Sequence, residues 1–181
     1  VMRIDGVLDM PWDRYAAIIV PGVDAMSDEL AGRLDRFVEE GGTLIVTGRS
    51  GFMDEAMAPR ARPALTSLGI EVVVQVRQET RSSYFRLQDK EGFPRLADSD
   101  LVYLDGPYVY ARYASSVQGY MRLIPPHNFG PPERCYYELV VDHPAFVVNK
   151  RGSGRTIYVP WMPGALFHRQ GHLNTAWFCA D

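Results

Sequence analysis

The 181 residues suffice for one domain, or for one domain with a modest insertion, and an apolar content of 46% is enough for a hydrophobic core. The net charge of −3 excludes the strongly basic surface of proteins that bind nucleic acids through their phosphates, so we expect no nucleic-acid partner. No run of 18 apolar residues occurs, so we expect no membrane span.

The segment before Tyr15 is predicted to hold little regular structure. One short strand is predicted around Met2–Ile4, followed by the turn residues Asp5 and Gly6. A sheet of the α/β type normally begins with its own strand and helix, so we expect this sequence to be a piece of a longer protein.

A strand and a helix are predicted next. The apolar run Ala16–Val20 ends at Pro21 and indicates a buried strand. Ser27 is placed to cap a helix N-terminus, and Asp35 is predicted to lie on the solvent side of that helix. The apolar stripe of the helix follows the spacing i, i+4, i+7 and i+8 and consists of Leu30, Leu34, Phe37 and Val38.

The helix is predicted to end at Gly41, which supplies a left-handed turn without steric cost. Thr43–Thr47 then predicts a second buried strand. A strand, a helix and a strand joined by tight connections form a βαβ unit, so we expect parallel strands and a right-handed crossover.

The next elements are shorter. Ser50–Pro63 predicts a loop with a short helical patch, Ala64–Leu68 one or two helical turns ended by Gly69, and Ile70–Val76 a strand.

Charges, tyrosines and prolines replace the compact α/β pattern between Arg77 and Asp142. We interpret this stretch, residues 77–142, as a β-rich antiparallel insertion in a single α/β domain. Paired prolines predict an irregular loop at Ile124–Glu133. The predicted strands are Ser83–Leu87, Leu101–Leu104, Tyr108–Tyr113, Val117–Leu123 and Tyr136–Val141.

The C-terminal part returns to the α/β pattern. Ala145–Asn149 and Thr156–Pro160 are predicted strands, joined by a tight turn at Lys150–Arg155 into a hairpin that delivers the last core strand. Gly164–Ala180 is predicted to be mostly helical, with an interruption at Gly171.

Two stretches resemble a known family. One comprises YxxIIVPG from Tyr15, SDEL from Ser27 and FVEEGGTLIVTGRSGFMDE from Phe37, and the other is GSGRTIYVPWMPGALFHRQGH, Gly152 to His172. They resemble the trimerisation domain of family-42 β-galactosidases and, even more, its equivalent in related putative glycoside hydrolases. These domains belong to the class I glutamine amidotransferase-like superfamily, and the resemblance covers about Tyr15 to His172.

The resemblance implies a fold and a role. The fold is a flavodoxin-like parallel sheet flanked by helices. The role is that of an accessory or oligomerisation domain without catalysis of its own, in a homo-oligomer that is a trimer in the family. The catalytic acid and nucleophile of the resembling enzymes belong to a separate β/α barrel, which we expect upstream of this chain.

Active amidotransferase-like proteins carry a cysteine nucleophile on the turn after the second strand of such a unit. Here that turn is Thr47–Gly51 and contains no cysteine, which argues for a non-catalytic domain. The alternative is a stand-alone hydrolase with Ser50 as the nucleophile and His168 or His172 as the base, or else His127 or His143. A complete G-x-S-x-G motif is absent, so a turn-stabilising role for Ser50 is favoured.

His168 and His172 are spaced i, i+4, as paired zinc ligands often are on a helix. No glutamate follows His168, and Gly171 weakens the helix, so a metal site is not favoured. In the resembling domains this segment faces the catalytic domain, which implies a contact role.

The Gly-rich turn Lys150–Arg155 does not open a helix, so neither phosphate-binding fingerprint fits and we expect no cofactor.

The carboxylates Asp98, Asp100, Asp105, Glu133, Glu138 and Asp142 form no glycosidase pattern. A group of tyrosines favours sheet packing over a protein interface, and an interface over a carbohydrate-binding module: Tyr103, Tyr108, Tyr110, Tyr113 and Tyr120.

The two cysteines, Cys135 and Cys179, fit neither a metal site nor a disulfide framework. We interpret them as free thiols and expect a cytoplasmic protein.

Overall fold

The computed structural model describes residues 11–126, 130–131, 133 and 136–181. It contains eight strands and three α-helices within these residues. The strands are β1 (Ala17–Pro21), β2 (Thr43–Thr47), β3 (Ile70–Arg86), β4 (Leu101–Tyr113), β5 (Gln118–Tyr120), β6 (Arg122–Ile124), β7 (Phe146–Arg151) and β8 (Gly154–Val159). The helices are α1 (Asp28–Glu39), α2 (Pro163–Gln170) and α3 (Leu173–Ala180).

The first sheet has the strand order β1-β2-β8-β7-β5. Strands β1, β2 and β8 are parallel, whereas β7 and β5 are antiparallel to their neighbours, so the sheet is mixed. The predicted βαβ unit and the predicted hairpin are confirmed. The second strand of the β7–β8 hairpin, β8, pairs with β2 and is parallel to it.

The ends of α1 follow from local chemistry. The Ser27 side chain accepts a hydrogen bond from the Leu30 amide, 3.1 Å away, and so caps the helix as predicted. At the other end the Gly42 amide donates to the Phe37 carbonyl and the Gly41 amide to the Val38 carbonyl. This pair of bonds is a Schellman motif, and the positive φ of Gly41 confirms the predicted glycine terminus.

One face of the first sheet packs against α1. The core between them includes Leu34, Phe37 and Val38 of the helix and Leu44 and Val46 of β2. The prediction that Asp35 lies on the solvent side of α1 is wrong. Its side chain is only 7% exposed and points to the short 3-10 helix at Thr66–Leu68. The prediction of one or two helical turns in Ala64–Leu68, ended by Gly69, is confirmed by this single 3-10 turn, at whose end Gly69 has a φ of 67°.

The second sheet has the order β4-β3-β6 and is antiparallel. Four predicted strands form two long ones. The predicted strands Ile70–Val76 and Ser83–Leu87 are joined in β3, and the predicted strands Leu101–Leu104 and Tyr108–Tyr113 are joined in β4. The register of β3 against β4 shifts between Arg77 and Ser83. These shifts lie in the gap between the two strands that were predicted separately from the sequence.

Three further predictions need correction. The predicted strand Val117–Leu123 is split at Met121, whose φ is 57°, so that β5 belongs to the first sheet and β6 to the second. Residues 136–141 form no strand, and their one ladder contact with another described residue is the bridge between Val141 and Leu123. Residues 50–63 form turns without the predicted helical patch, because the backbone pairs locally through Met53 instead.

The predicted strand Met2–Ile4 and parts of the predicted loop Ile124–Glu133 lie outside the described residues. The predicted C-terminal helix is confirmed, with its interruption at Gly171, where φ is 68°. A second core joins α2, α3 and the second sheet through Phe85, Tyr108, Trp161, Leu166 and Phe178. In the part of the chain that the structure describes, no helix is both long and apolar enough to span a membrane.

Candidate functional site

The carboxyl ends of the parallel strands are where α/β proteins usually bind ligands. Here β1 ends at Pro21, β2 at Thr47 and β8 at Val159, and the turns that follow them meet. The turn after β2 contains Ser50, the candidate nucleophile. This edge of the sheet is therefore the place at which to test a catalytic role.

Ser50 is fully buried, and its hydroxyl is engaged on both sides. Its Oγ accepts a hydrogen bond from the Val23 amide, 3.0 Å away. It lies 2.9 Å from the Thr47 carbonyl oxygen and 3.3 Å from that of Val20, to which the hydroxyl donates. Ser50 thus ties the turns after β1 and β2 together. A nucleophile needs an exposed oxygen with a free lone pair and a base beside it.

Met162 fills the space above the strand ends. The Thr47 hydroxyl donates to its Sδ at 3.4 Å, and a Cβ added to either Gly22 or Gly48 would meet the Met162 side chain. The Tyr158 hydroxyl donates to the Gly48 carbonyl at 2.8 Å and holds this turn from below. The usual ligand position is therefore occupied by the protein's own side chain.

An ion pair borders the same edge. Arg49 in the turn after β2 pairs with Asp24 in the turn after β1. Both side chains are about one-third exposed at 29%, so the pair is screened and contributes little to stability. Its effect is to hold the two turns together at the surface.

The structure separates the candidate histidines from Ser50. His172 Nε2 lies 3.0 Å from Gln170 Oε1, and its ring packs edge-on against Tyr103 of β4, with centroids 4.9 Å apart. His168 lies exposed in the last turn of α2. His143 packs against Tyr110, and partial burial lowers the pKa of its imidazole. None of the described hydrogen bonds links a histidine to Ser50, and His127 lies outside the described residues.

Metal ligands are not gathered anywhere in the described chain: no group of three His, Cys, Asp or Glu side chains is placed to hold an ion. Three of the candidate carboxylates form ion pairs, each with a different basic side chain. Asp105 pairs with Arg169, Asp142 with Arg122, and Asp100 with Lys90, which lowers the pKa of the Asp100 carboxyl.

The junction of α2 and α3 is bound to β4 through Asp105. Its Oδ2 accepts from Gln170 Nε2 at 2.7 Å and from Arg169 at 3.1 Å. Beside this anchor the two helices expose large apolar side chains: Phe167, Leu173 and Trp177. The segment FHRQGH therefore fixes the position of an apolar helical surface.

The Gly-rich turn is an intramolecular contact. The Ser153 amide donates to the Glu39 carbonyl and the Arg155 amide to the Gly42 carbonyl, both at the C-terminal end of α1. A Cβ added to Gly152 or Gly154 would lie less than 3 Å from that backbone. The glycines allow the hairpin to approach the helix end, and these two amides are engaged.

The predicted tyrosine group serves mainly in packing. Tyr108 is buried and donates to the Pro144 carbonyl at 2.8 Å, and burial raises the pKa of its phenol, as it does for Tyr113. Tyr120 stacks on Phe146, with centroids 4.7 Å apart. Tyr103 and Tyr110 are only half-buried, so their rings contribute to the surface.

Sequence reasoning missed the role of Asp35. Its carboxylate accepts from the Thr66 amide at 2.9 Å, from the Ser67 amide at 3.0 Å and from the Thr66 hydroxyl. It acts as a cap supplied from a distance to the 3-10 turn. In the sequence, Asp35 is recognisable only as a carboxylate next to the apolar stripe of the helix. This position does not predict which residues bind the carboxylate.

The family model of the β-galactosidase trimerisation domain matches residues 7–170. The chain belongs to the family of β-galactosidase trimerisation domains. No functionally curated protein matches the sequence significantly. The thiol of Cys179 in this trimerisation domain is free, and Cys135 lies outside the described residues.

Solved structures show the same fold at low identity. Gan42B, a GH42 β-galactosidase from G. stearothermophilus, is 18% identical, with a TM-score of 0.63, over 84% of this chain and 20% of that one. A β-galactosidase from Bacillus circulans sp. alkalophilus is 20% identical, with a TM-score of 0.58, over 88% of this chain and 23% of that one. A cytoplasmic protein from Salmonella typhimurium is 13% identical, with a TM-score of 0.60, over 93% of this chain and 70% of that one. The trimerisation domain thus spans about a fifth of the length of these β-galactosidases.

Proposed function

We propose that this trimerisation domain is a non-catalytic accessory unit of a β-galactosidase-like glycoside hydrolase. It acts through protein–protein contact, holds copies of the parent protein together as a homo-oligomer, and lies beside a β/α-barrel domain that performs the hydrolysis. A trimer is the proposed assembly, because the family is that of trimerisation domains.

One observation carries the non-catalytic part of this proposal. The carboxyl edge of the parallel strands is filled by Met162, and the Ser50 hydroxyl is consumed by contacts with three backbone groups. Burial and internal hydrogen bonds remove the accessibility that a nucleophile requires. The rival hydrolase would have to break these contacts in every turnover.

A finer fold assignment is part of the proposal. The βαβ unit and three adjacent parallel strands support a flavodoxin-like, amidotransferase-like core, to which the antiparallel strands of residues 77–142 are added as an insertion. The free thiol of Cys179 supports a reducing, cytoplasmic compartment.

The α2–α3 junction supports the contact role. The side chains of Arg169 and Gln170 anchor it to Asp105 of β4, while Phe167, Leu173 and Trp177 remain exposed. Exposed aromatic and aliphatic side chains on a rigid support are typical of protein interfaces. We propose that this surface contacts another domain or another copy.

The experiment that tests the proposal is sedimentation velocity on the 181-residue chain over a wide concentration range, combined with hydrolysis assays on nitrophenyl galactosides. We expect a concentration-dependent trimer and no hydrolysis. A chain that stays monomeric at the highest concentration would contradict the assembly. Hydrolysis that is lost in Ser50→Ala without a loss of folded protein would establish the rival enzyme.

Carbohydrate binding is the second candidate, supported by the half-buried Tyr103 ring beside Asp105 and Gln170. A ligand that binds the native state raises the melting temperature when it is present far above its dissociation constant. A panel of galactosides and other oligosaccharides that leaves the melting temperature unchanged removes this candidate.

A further inference from the structure

Three side chains at the α2–α3 junction form a chain of hydrogen bonds. Gln170 Nε2 donates to Asp105 Oδ2 at 2.7 Å, and Gln170 Oε1 lies 3.0 Å from His172 Nε2. A carboxylate only accepts hydrogen bonds, so the nitrogen of the Gln170 amide must face Asp105 and its oxygen must face His172. Because an amide oxygen also only accepts, His172 Nε2 must carry a hydrogen and donate it.

This hydrogen fixes the tautomer of His172. A neutral imidazole holds one hydrogen, so when that hydrogen is on Nε2 the other nitrogen, Nδ1, keeps its lone pair. His172 is the N-cap residue of α3, but its side chain caps none of the helix amides. The side chain is exposed, and no described residue forms a hydrogen bond with Nδ1. Nδ1 is therefore a hydrogen-bond acceptor on a ring that Asp105 and Gln170 hold in place.

An aromatic ring lies beside this acceptor. The rings of Tyr103 and His172 have centroids 4.9 Å apart and planes inclined by 62°, so they form the two walls of a corner. Tyr84 on the neighbouring strand supports Tyr103, with centroids 5.6 Å apart. Tyr103 is only half-buried, and its hydroxyl forms no hydrogen bond within the described part of the chain. The corner combines an apolar ring with an acceptor and a hydroxyl group.

We propose that this corner binds a neutral pyranoside sugar, whose C–H groups pack on the Tyr103 ring while one of its hydroxyls donates to His172 Nδ1. Ligand sites combine aromatic surface with a few fixed polar groups, and a sugar has partners for both. Gln170 and Asp105 are positioning residues, since they act through the imidazole. The inference rests on carbohydrate binding, the second candidate function, and does not depend on the assembly.

Two observations define the class of sugar. Asp105 is paired with Arg169, so these two charges cancel beside the corner and do not select an ionic ligand. The family is that of β-galactosidase trimerisation domains, which makes galactosides the sugars to test. A ligand of the size of methyl β-galactoside is expected to bind with a dissociation constant of about 1–10 mM.

Nitrogen NMR of the ¹⁵N-labelled 181-residue chain tests the acceptor. Spectra are recorded at about pH 8, where histidine side chains are ordinarily neutral. We expect the chemical shift of a protonated nitrogen for His172 Nε2 and that of an unprotonated nitrogen for Nδ1. The reference is His168, which is exposed in α2 and has no hydrogen-bond partner among the described residues.

The variant Asp105→Asn tests the positioning residues. An asparagine amide both donates and accepts, so Gln170 is free to turn over and the shifts of His172 should approach those of His168. An unmodified chain in which His172 Nε2 lacks the hydrogen overturns the inference.

Methyl β-galactoside is then titrated into the labelled chain. We expect the His172 Nδ1 signal and the ring signals of Tyr103 to shift together as the sugar concentration rises. The variant His172→Phe keeps a ring but has no acceptor, so binding followed through Tyr103 should weaken about three- to tenfold. The matched control His168→Phe makes the same change outside the corner and should bind as the unmodified chain does. Both histidines are exposed, so both variants should fold, and circular dichroism verifies this.

The outcomes separate this inference from the assembly, which sedimentation velocity measures on the same samples. A trimer whose His172 and Tyr103 signals do not respond to galactoside tenfold above the expected dissociation constant overturns this inference alone. A monomer whose signals respond contradicts the assembly and supports the sugar site. Binding that is equally strong in His172→Phe places the sugar elsewhere and overturns the inference.

Discussion

Replacing Ser50 with alanine separates a structural serine from a catalytic one. The hydroxyl accepts from the Val23 amide at 3.0 Å and donates to the Thr47 carbonyl, 2.9 Å away. Alanine removes both bonds and leaves the Val23 amide without its partner beneath the turns. We therefore expect Ser50→Ala to destabilise the fold even though it removes a single oxygen atom.

The magnitude follows from these two bonds. An amide left unsatisfied in a protected site costs about 1–3 kcal/mol, and a lost hydrogen bond to a carbonyl costs about 0.5–1.5 kcal/mol. The combined loss in the free energy of unfolding is about 1.5–4.5 kcal/mol. For a domain of this size, each kcal/mol lowers the melting temperature by about 2–4 °C, so we expect a decrease of about 3–18 °C.

The assay is thermal and urea denaturation followed by circular dichroism. Ser116→Ala is the control, because Ser116 is exposed in a turn and its replacement should change the free energy of unfolding by less than about 0.5 kcal/mol. A Ser50→Ala variant that melts with the unmodified chain would refute the argument from the hydrogen bonds. It would reopen the question of what the serine does.

Three further predictions concern stability. Asp35→Ala should lower the free energy of unfolding in urea by about 3–5 kcal/mol, since the amides of Thr66 and of the buried Ser67 lose a charged acceptor, and a loss below about 1 kcal/mol would contradict its capping role. Gly154→Ala should cost at least about 2 kcal/mol because a methyl group would strike the α1 backbone, whereas Gly92→Ala, where a methyl group meets nothing within 4 Å, should not. Unfolded tyrosines ionise near pH 10 while burial keeps the folded ones protonated, so stability should be fully present below about pH 10 and decrease above it. The part of the tyrosinate absorbance that belongs to Tyr108, Tyr113 and Tyr158 should then rise only together with unfolding, and ionisation of all ten tyrosines in the intact fold would contradict their burial.

Several contacts of the candidate site depend on partners that are distant in the chain, so the sequence could not predict them. Asp35 looks solvent-facing by helical periodicity, yet it caps Thr66 and Ser67, some thirty residues away. Lys150–Arg155 was predicted as a hairpin turn, but its pattern does not predict that amides of that segment bond to the end of α1. Nothing in the local pattern around Met162 predicts that it fills the edge beside Ser50.

The sequence by itself determined the local units. A βαβ unit, a capped helix, a hairpin and an interrupted C-terminal helix are encoded by short-range periodicity, turn residues and caps, which depend on neighbours a few positions apart. The tertiary structure alone decided that Tyr136–Val141 forms no strand, that Met121 divides one predicted strand between two sheets, and that Asp35 is buried against the 3-10 turn at Thr66–Leu68. Such outcomes depend on which surfaces meet when distant segments pack. Local sequence patterns do not predict those contacts.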